Sequence, residues 1–302
     1  MPRAQLAVLV VFIACTIIGG SNVVAVRISN RELAPFWGAG LRFAVAALLL
    51  LAFAVWRRIP LPLGKALPGV VLYGLLNFGV FYALGYWALL EAPAAAAAAV
   101  IALAPLLTFF AATALGMERF RWLGVLGGAI SVVGVAVVFA DQLHANVPLG
   151  SLVALFLGAV TIAATTILLK RLPRTHPIGT NAVAMIPGAG ALLLLSALAG
   201  ERPGLPTTPD VWLVLIYLVT VGAVGLFAGV VYVVGRWTAS ASAYMTVLFP
   251  IVTVALAAAI AGEFVSPQFV TGALLVTLGT YIGAILQPAA TAKTAAVARA
   301  RN

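Results

Sequence analysis

Residues 105–134 read PLLTFFAATALGMERFRWLGVLGGAISVVG, and residues 250–279 read PIVTVALAAAIAGEFVSPQFVTGALLVTLG. Each stretch opens on a proline, Pro105 or Pro250. Each then carries a glutamate, Glu118 or Glu263, and two glycines seven apart, Gly127 and Gly134 or Gly272 and Gly279. All four pairs share one offset of 145 residues. Leucine and alanine matches carry no weight in so apolar a chain. Proline, glutamate and glycine matches at a single offset mark an internal duplication. In each copy the proline is expected to break a helix middle, the glutamate to end that helix, and the glycines to mark the next.

The rest of the chain fits this frame. Of 302 residues, 64% are hydrophobic and 8% charged, with mean hydropathy +1.18. A soluble domain carries about 25% charged residues, so lipid is the solvent that suits this chain. A spanning helix needs about 20 mostly apolar residues. Ten such runs are read, near 5–27, 35–56, 66–90, 93–116, 121–140, 147–169, 178–199, 209–235, 238–261 and 265–287. The first run, Leu6 to Val26 after Arg3, is longer than the core of a signal peptide, which spans roughly 7–15 residues. The fold class is therefore all-α integral membrane. The first five-helix repeat covers 1–140 and the second covers 147–287, with a disordered basic cytoplasmic tail over 288–302. Five helices per half is an odd number, so the second half enters the membrane from the opposite side. Such inverted repeats typify carriers whose substrate site lies between the halves near the midplane.

Charge fixes the orientation. With the N-terminus in the cytoplasm, Arg3, Arg57, Arg58, Lys65, Arg119, Arg121, Lys170, Arg171, Arg174, Arg236, Lys293, Arg299 and Arg301 all fall inside. Only Arg27, Arg31 and Arg202 fall outside, and Arg42 lies within the second helix. The positive-inside rule places both termini in the cytoplasm and requires an even number of spans. The net charge of +10 is thereby used by topology. It forms no basic patch with stacking aromatics, so nucleic acid is not an expected partner. The single cysteine, Cys15, excludes an internal disulfide, and no metal or cofactor is expected.

The segment Gly116-Met117-Glu118-Arg119 with Gly127 and Gly134 resembles the closing signature of a repeat in the drug/metabolite transporter superfamily. Ala261-Gly262-Glu263 with Gly272 and Gly279 resembles its second copy. Ser21-Asn22 with Arg27, Pro35 and Leu41-Arg42-Phe43 looks like the opening of the EamA branch. The resemblance runs from about residue 10 to 287 and is nearest to YddG-like amino acid exporters. It implies a multi-pass carrier of a bacterial inner membrane. The branch spans amino acids, sugars, nucleotides and drugs, so it implies little about substrate. Two departures stand out. Gly19 and Gly20 occupy a place where many members carry an aromatic, and the second repeat, opening on Lys170-Arg171, has no counterpart of Arg42.

All seven acidic residues lie at helix ends or in loops on this reading. Mid-membrane carboxylates build proton relays and cation sites, and their absence points to a neutral or zwitterionic substrate moved as by a uniporter. The reading is an exporter or uniporter-like carrier of amino acids or similar small metabolites. The alternative is a proton-coupled exporter of drugs or of another metabolite, such as a sugar or nucleotide. An enzyme is not expected, because His144 and His176 are both read in loops and no reactive cluster reaches membrane depth.

Pocket candidates come from several helices. Phe78, Tyr82 and Tyr86 share one face of the third helix by their spacing of four, with Asn77 and Phe81 beside them. The offset carries Trp87 onto Tyr232. Ser240 and Tyr244 sit four apart on the ninth helix, and Asn22 lies on the first. Arg42 either snorkels, pairs with a backbone carbonyl, or takes a substrate carboxylate. Pro105 and Pro250 are candidates for kinks or gating. Gly124 with Gly128, Gly225 with Gly229 and Gly279 with Gly283 are close-packing pairs. They are expected to join helices within one chain rather than to form a dimer. The expected partners are thus a small-molecule substrate and the lipid bilayer.

Overall fold

The computed structural model describes residues 3–144, 146–173, 175–237, 242, 245–261 and 266–284. The tail over 288–302, Glu263, and the pocket candidates Ser240 and Tyr244 lie outside these residues. Among them run ten helical segments. They are α1 (Arg3–Ser29), α2 (Pro35–Trp56), α3 (Gly64–Ala88), α4 (Ala94–Ala114), α5 (Trp122–His144), α6 (Leu149–Arg171), α7 (Pro177–Leu198), α8 (Pro209–Val234), α9 (Met245–Leu256, continued by Ala257–Ala261) and α10 (Pro267–Ala284). No strand occurs among the described residues. Seven of the segments are long and apolar enough to cross a membrane: α1, α2, α3, α4, α6, α7 and α8. The other three carry shorter apolar stretches, Trp122–Val138, Leu248–Ile260 and Pro267–Gly279.

Local chemistry sets the ends. Pro35, Pro177 and Pro209 start α2, α7 and α8, where the missing N–H costs nothing. Gly116 ends α4 at φ +68°, a conformation that leaves Met117 N–H free to close on the Ala112 carbonyl at 2.8 Å. This gives the glycine of the Gly-Met-Glu-Arg stretch its job. His144, read above as a loop residue, is the last residue of α5, and His176 caps α7 by accepting the Ile178 N–H.

The two prolines at the repeat offset are not used alike. Pro105 opens the second half of α4 after an interruption at Ala102–Leu103. Pro250 stays within the helical run of α9, and irregularity comes later, as a π turn over Ala257–Ala261. A third proline, Pro187, lies inside α7. The sharper symmetry is one that composition does not display. α3 carries a π turn over Leu75–Val80 and α8 carries one over Thr220–Gly225, offset by 145 at both ends.

Packing follows the same offset. α5 packs on α10, α2 on α7 and α4 on α9, each helix on its own repeat mate. Two further sets of contacts are mirrored, α1 on α9 with α6 on α4 and α3 on α6 with α8 on α1, whereas α3 packs on α7 far more extensively than its mirror, α8, packs on α2. The α5–α10 crossing locates the axis. A Cβ built on Gly134 would stand 2.6 Å from Val276 N and 2.7 Å from the Gly272 carbonyl. One on Gly279 would stand 2.5 Å from the Gly127 carbonyl. Gly127 thus meets Gly279 while Gly134 meets Gly272, so the two helices run antiparallel. Ser131 donates to the carbonyl of Val276, its own equivalent, at 3.3 Å. A twofold axis perpendicular to both helices therefore passes beside Ser131. The paired glycines Gly124, Gly128, Gly229 and Gly279 all face helices of the same chain.

The ends of the bundle are tied by polar contacts between elements. At one end, Glu201 accepts the N–H groups of Phe36 (3.1 Å) and Trp37 (2.8 Å) at the start of α2. Glu32 reciprocates by accepting the N–H groups and hydroxyls of Thr207 and Thr208 just before α8. A carboxylate at a helix N-terminus is favoured by the helix dipole. Arg27 donates to the Ala92 carbonyl between α3 and α4 at this same end. At the opposite end, Lys170 donates to the Trp237 carbonyl after α8. Ala92 and Trp237 are 145 apart, so repeat-equivalent carbonyls each receive a cation, from the C-terminal ends of α1 and α6.

The Glu32 clasp is testable. The Thr208 hydroxyl, then the Thr207 N–H, hold the Glu32 carboxyl down at about 2. A lowered folded value stabilises the protein above the ordinary carboxyl range, and that contribution disappears as pH falls toward about 2. Glu32→Gln is expected to lower the melting temperature in detergent at pH 6 and to flatten its decline on acidification. Equal declines in both proteins would detach the clasp from the acid response.

Candidate functional site

A cavity of about 150 Å³ lies among α1, α3, α4, α6, α8 and α9. These are three helices and their three repeat mates, so the cavity is shared by both halves. Several lining residues are themselves equivalents: Phe81 with Leu226, Tyr82 with Phe227, Gly85 with Val230, Leu89 with Val234, and Ala97 with Ser242. The backbones match while the side chains diverge. α3 contributes tyrosines and an asparagine, and α8 contributes only apolar groups.

Of the nine pocket candidates, Asn22, Asn77, Phe81, Tyr82 and Tyr86 line the cavity. Phe78 does not. It is fully buried between the rings of Phe43 (5.1 Å) and Phe227 (4.6 Å). The π turn over Leu75–Val80 shifts the helical phase, so a spacing of four drawn across it does not keep a common face. Tyr232 does not line the cavity either, since its ring packs 3.6 Å from the Arg236 guanidinium one turn on. Pro105 and Pro250, in α4 and α9, are not among the lining residues.

Other residues enter that residue-by-residue reading missed. Thr165 and Thr166 come from α6, Phe227 from α8, and Met245 and Phe249 from α9. Applying the repeat offset to Tyr82 would have found Phe227. Gly19 and Gly20 leave room for α9 to approach: a Cβ on Gly19 would stand 2.1 Å from the Phe249 ring. The ring at this place in the cavity is thus supplied by α9.

Beside the tyrosine and threonine hydroxyls, two amides add polarity to the cavity wall. Asn22 donates to the Gly222 carbonyl at 2.9 Å, and its Oδ1 has no hydrogen-bond partner. Asn77 accepts the Thr165 hydroxyl at 3.4 Å, and its Nδ2 is unpartnered. Both side chains are more than nine-tenths buried. A buried polar group without a partner costs about 1–3 kcal/mol, which a bound polar ligand would recover. No Asp, Glu, Lys, Arg or His lines the cavity among the described residues.

Arg42 stands just behind this wall. It is fully buried and does not snorkel. Its Nη2 donates to the Gly222 carbonyl at 2.7 Å and its Nη1 faces the Tyr86 hydroxyl at 3.4 Å. Its guanidinium lies 5.2 Å from the Tyr82 ring and 5.0 Å from the Phe43 ring. Gly222 is the repeat equivalent of Asn77 and sits in the α8 π turn. A Cβ there would strike Asn22 Oδ1 at 2.2 Å, so only glycine lets Asn22 and Arg42 share its carbonyl.

The chain and its fold have known counterparts. The EamA-like transporter family matches the chain twice, over residues 5–140 and 149–284. The chain belongs to the EamA-like transporter family. Its two matched copies fall on the two sets of helices related by the axis. Among EamA relatives, the chain is 28% identical over 282 residues to the uncharacterized inner membrane transporter YedA of Escherichia coli K12, covering 89% of this chain and 90% of YedA. It is 25% identical over 280 residues to a probable amino-acid metabolite efflux pump of Salmonella typhimurium, covering 88% and 91%. A solved crystal structure superposes with a TM-score of 0.70 at 19% identity, over 93% of this chain and 97% of the other, and shows the fold to be shared. This EamA chain is a multi-pass membrane protein of a transporter family.

Proposed function

We propose that the chain carries amino acids or similar small zwitterionic metabolites across a bacterial inner membrane by alternating access around the shared cavity. On this reading all ten helices span, the two five-helix repeats are inverted, and both termini face the cytoplasm. The observation that carries the reading is the cavity's polar lining. Asn22 and Asn77 carry an unpartnered acceptor and an unpartnered donor in a wall that is mostly apolar apart from tyrosine, threonine and serine hydroxyls. A zwitterion needs one of each for its ammonium and carboxylate, with an apolar surface for its side chain. The lack of a lining carboxylate among the described residues supports a carrier without a proton relay. The Salmonella relative's name, an amino-acid metabolite efflux pump, agrees with this class.

Counterflow in proteoliposomes tests it. With unlabelled amino acids inside, labelled amino acids are expected to enter at a rate indifferent to a pH gradient and to compete with one another. Exchange of drugs or sugars but not amino acids, or exchange that requires the proton gradient, would move the assignment to the proton-coupled exporter.

A further inference from the structure

The buried charge of Arg42 has no counter-charge among the described residues. Its hydrogen-bond partners are a backbone carbonyl and a phenol, two aromatic rings stand near its guanidinium, and its Nε has no hydrogen-bond partner. No carboxylate pairs with it among the described residues. A guanidinium held in protein interior without a carboxylate leaves much of its field unneutralised. That field has a direction. Tyr82, Tyr86 and Asn22, which stand between Arg42 and the cavity, line the cavity with their own atoms. Nothing charged intervenes among the described residues. Gly222, which anchors the guanidinium, tolerates no side chain, so the charge is fixed in place.

We propose that Arg42 is the selectivity residue of the carrier: without touching substrate, it biases the cavity toward ligands bearing a carboxylate and against purely cationic amines. This rests on the proposed amino acid function and deepens it. The second repeat offers no balancing charge, because the equivalent of Arg42 is Pro187. The bias is therefore built into one half only. A carboxylate in the cavity gains Coulomb attraction across low-dielectric side chains, while an amine without a carboxylate meets repulsion alone. Arg42 acts through space and through the tyrosines it orients, so it is a positioning residue rather than a contact.

The test uses three ligands that share one side chain: leucine, its decarboxylated amine 3-methylbutylamine, and its deaminated acid 4-methylpentanoate. Binding to the purified full chain is read as the ligand-dependent shift in melting temperature. In the wild-type protein both carboxylate-bearing ligands are expected to bind more tightly than the amine. Arg42→Met should weaken leucine and 4-methylpentanoate about tenfold and leave the amine unchanged or tighter. Arg42→Lys, which keeps the charge, should retain the wild-type order. A merely structural role would weaken all three ligands alike and would not be rescued by lysine. If Arg42→Met fails to fold, the wild-type order decides alone: an amine bound as tightly as leucine overturns the selectivity role while leaving the amino acid reading intact. Binding of none of the three overturns the amino acid reading, and this proposal falls with it.

Discussion

Replacing Gly85 with leucine is expected to abolish counterflow while leaving the melting temperature at or above that of the wild-type protein. Gly85 lines the cavity from α3, and a Cβ built on it meets nothing within 4 Å. The added side chain therefore enters open space that, on the proposed cycle, the substrate needs. Its Cβ strains no neighbour, and a glycine inside a helix is replaced by a better helix former, a change worth up to about 1 kcal/mol. Most substitutions that stop a carrier also loosen it, and the two effects are then hard to separate. Here they part. Gly190 provides the control, since a Cβ there also meets nothing within 4 Å but the residue is exposed on α7 and lines no cavity. Gly190→Leu should leave flux unchanged, with the melting temperature likewise at or above that of the wild-type protein. Full counterflow by Gly85→Leu would remove this cavity from the transport path.

The opposite outcome is expected at the axis. Gly134→Ala places a methyl group less than 3 Å from backbone atoms of α10, and backbone cannot swing aside. The helices must separate, at a cost of about 1–3 kcal/mol for the extra carbon. Gly272→Ala strains the same crossing from the other side, since its Cβ would stand 2.9 Å from the Gly134 carbonyl. Once either methyl has pushed α5 from α10, the second meets less resistance. The double variant should therefore lose clearly less stability than the two single losses added together. Unfolding of the purified protein in mixed micelles measures all three. Additive losses would mean that the two glycines do not meet at one crossing.

The same residues show how far sequence reading reaches. Gly127, Gly134, Gly272 and Gly279 were legible as repeat markers because only glycine permits backbone to touch backbone, and the structure puts all four at that contact. The apolar runs were legible because hydropathy has only to be summed along the chain. The π turns over Leu75–Val80 and Thr220–Gly225 were not. Leu-Leu-Asn-Phe-Gly-Val and Thr-Val-Gly-Ala-Val-Gly share no pattern, and the turns are set by what packs around them. Losing them misplaced Phe78, because a spacing of four presumes an unbroken α-helix. Arg42 could be read as a charge in an apolar run, but its partner could not. Gly222 lies 180 residues away on another helix and offers only a carbonyl, which every residue has. Asn22 and Asn77 stood out as rare polar groups in apolar surroundings, and that rarity brought both into view.

The cation-to-carbonyl ties at the two ends of the bundle bear on the energy landscape of the proposed cycle. The structure holds Arg27 on Ala92 and Lys170 on Trp237 at once. Breaking either tie removes a hydrogen bond from a charged group, worth about 1.5–3 kcal/mol. The acceptors are repeat equivalents and both donors are cations, so these two losses nearly match. The symmetry stops there: the Arg27 end is also clasped by Glu32 and Glu201, and no such carboxylate clasp stands beside Lys170 among the described residues. On the proposed cycle that difference tilts the empty carrier toward opening at the Lys170 end.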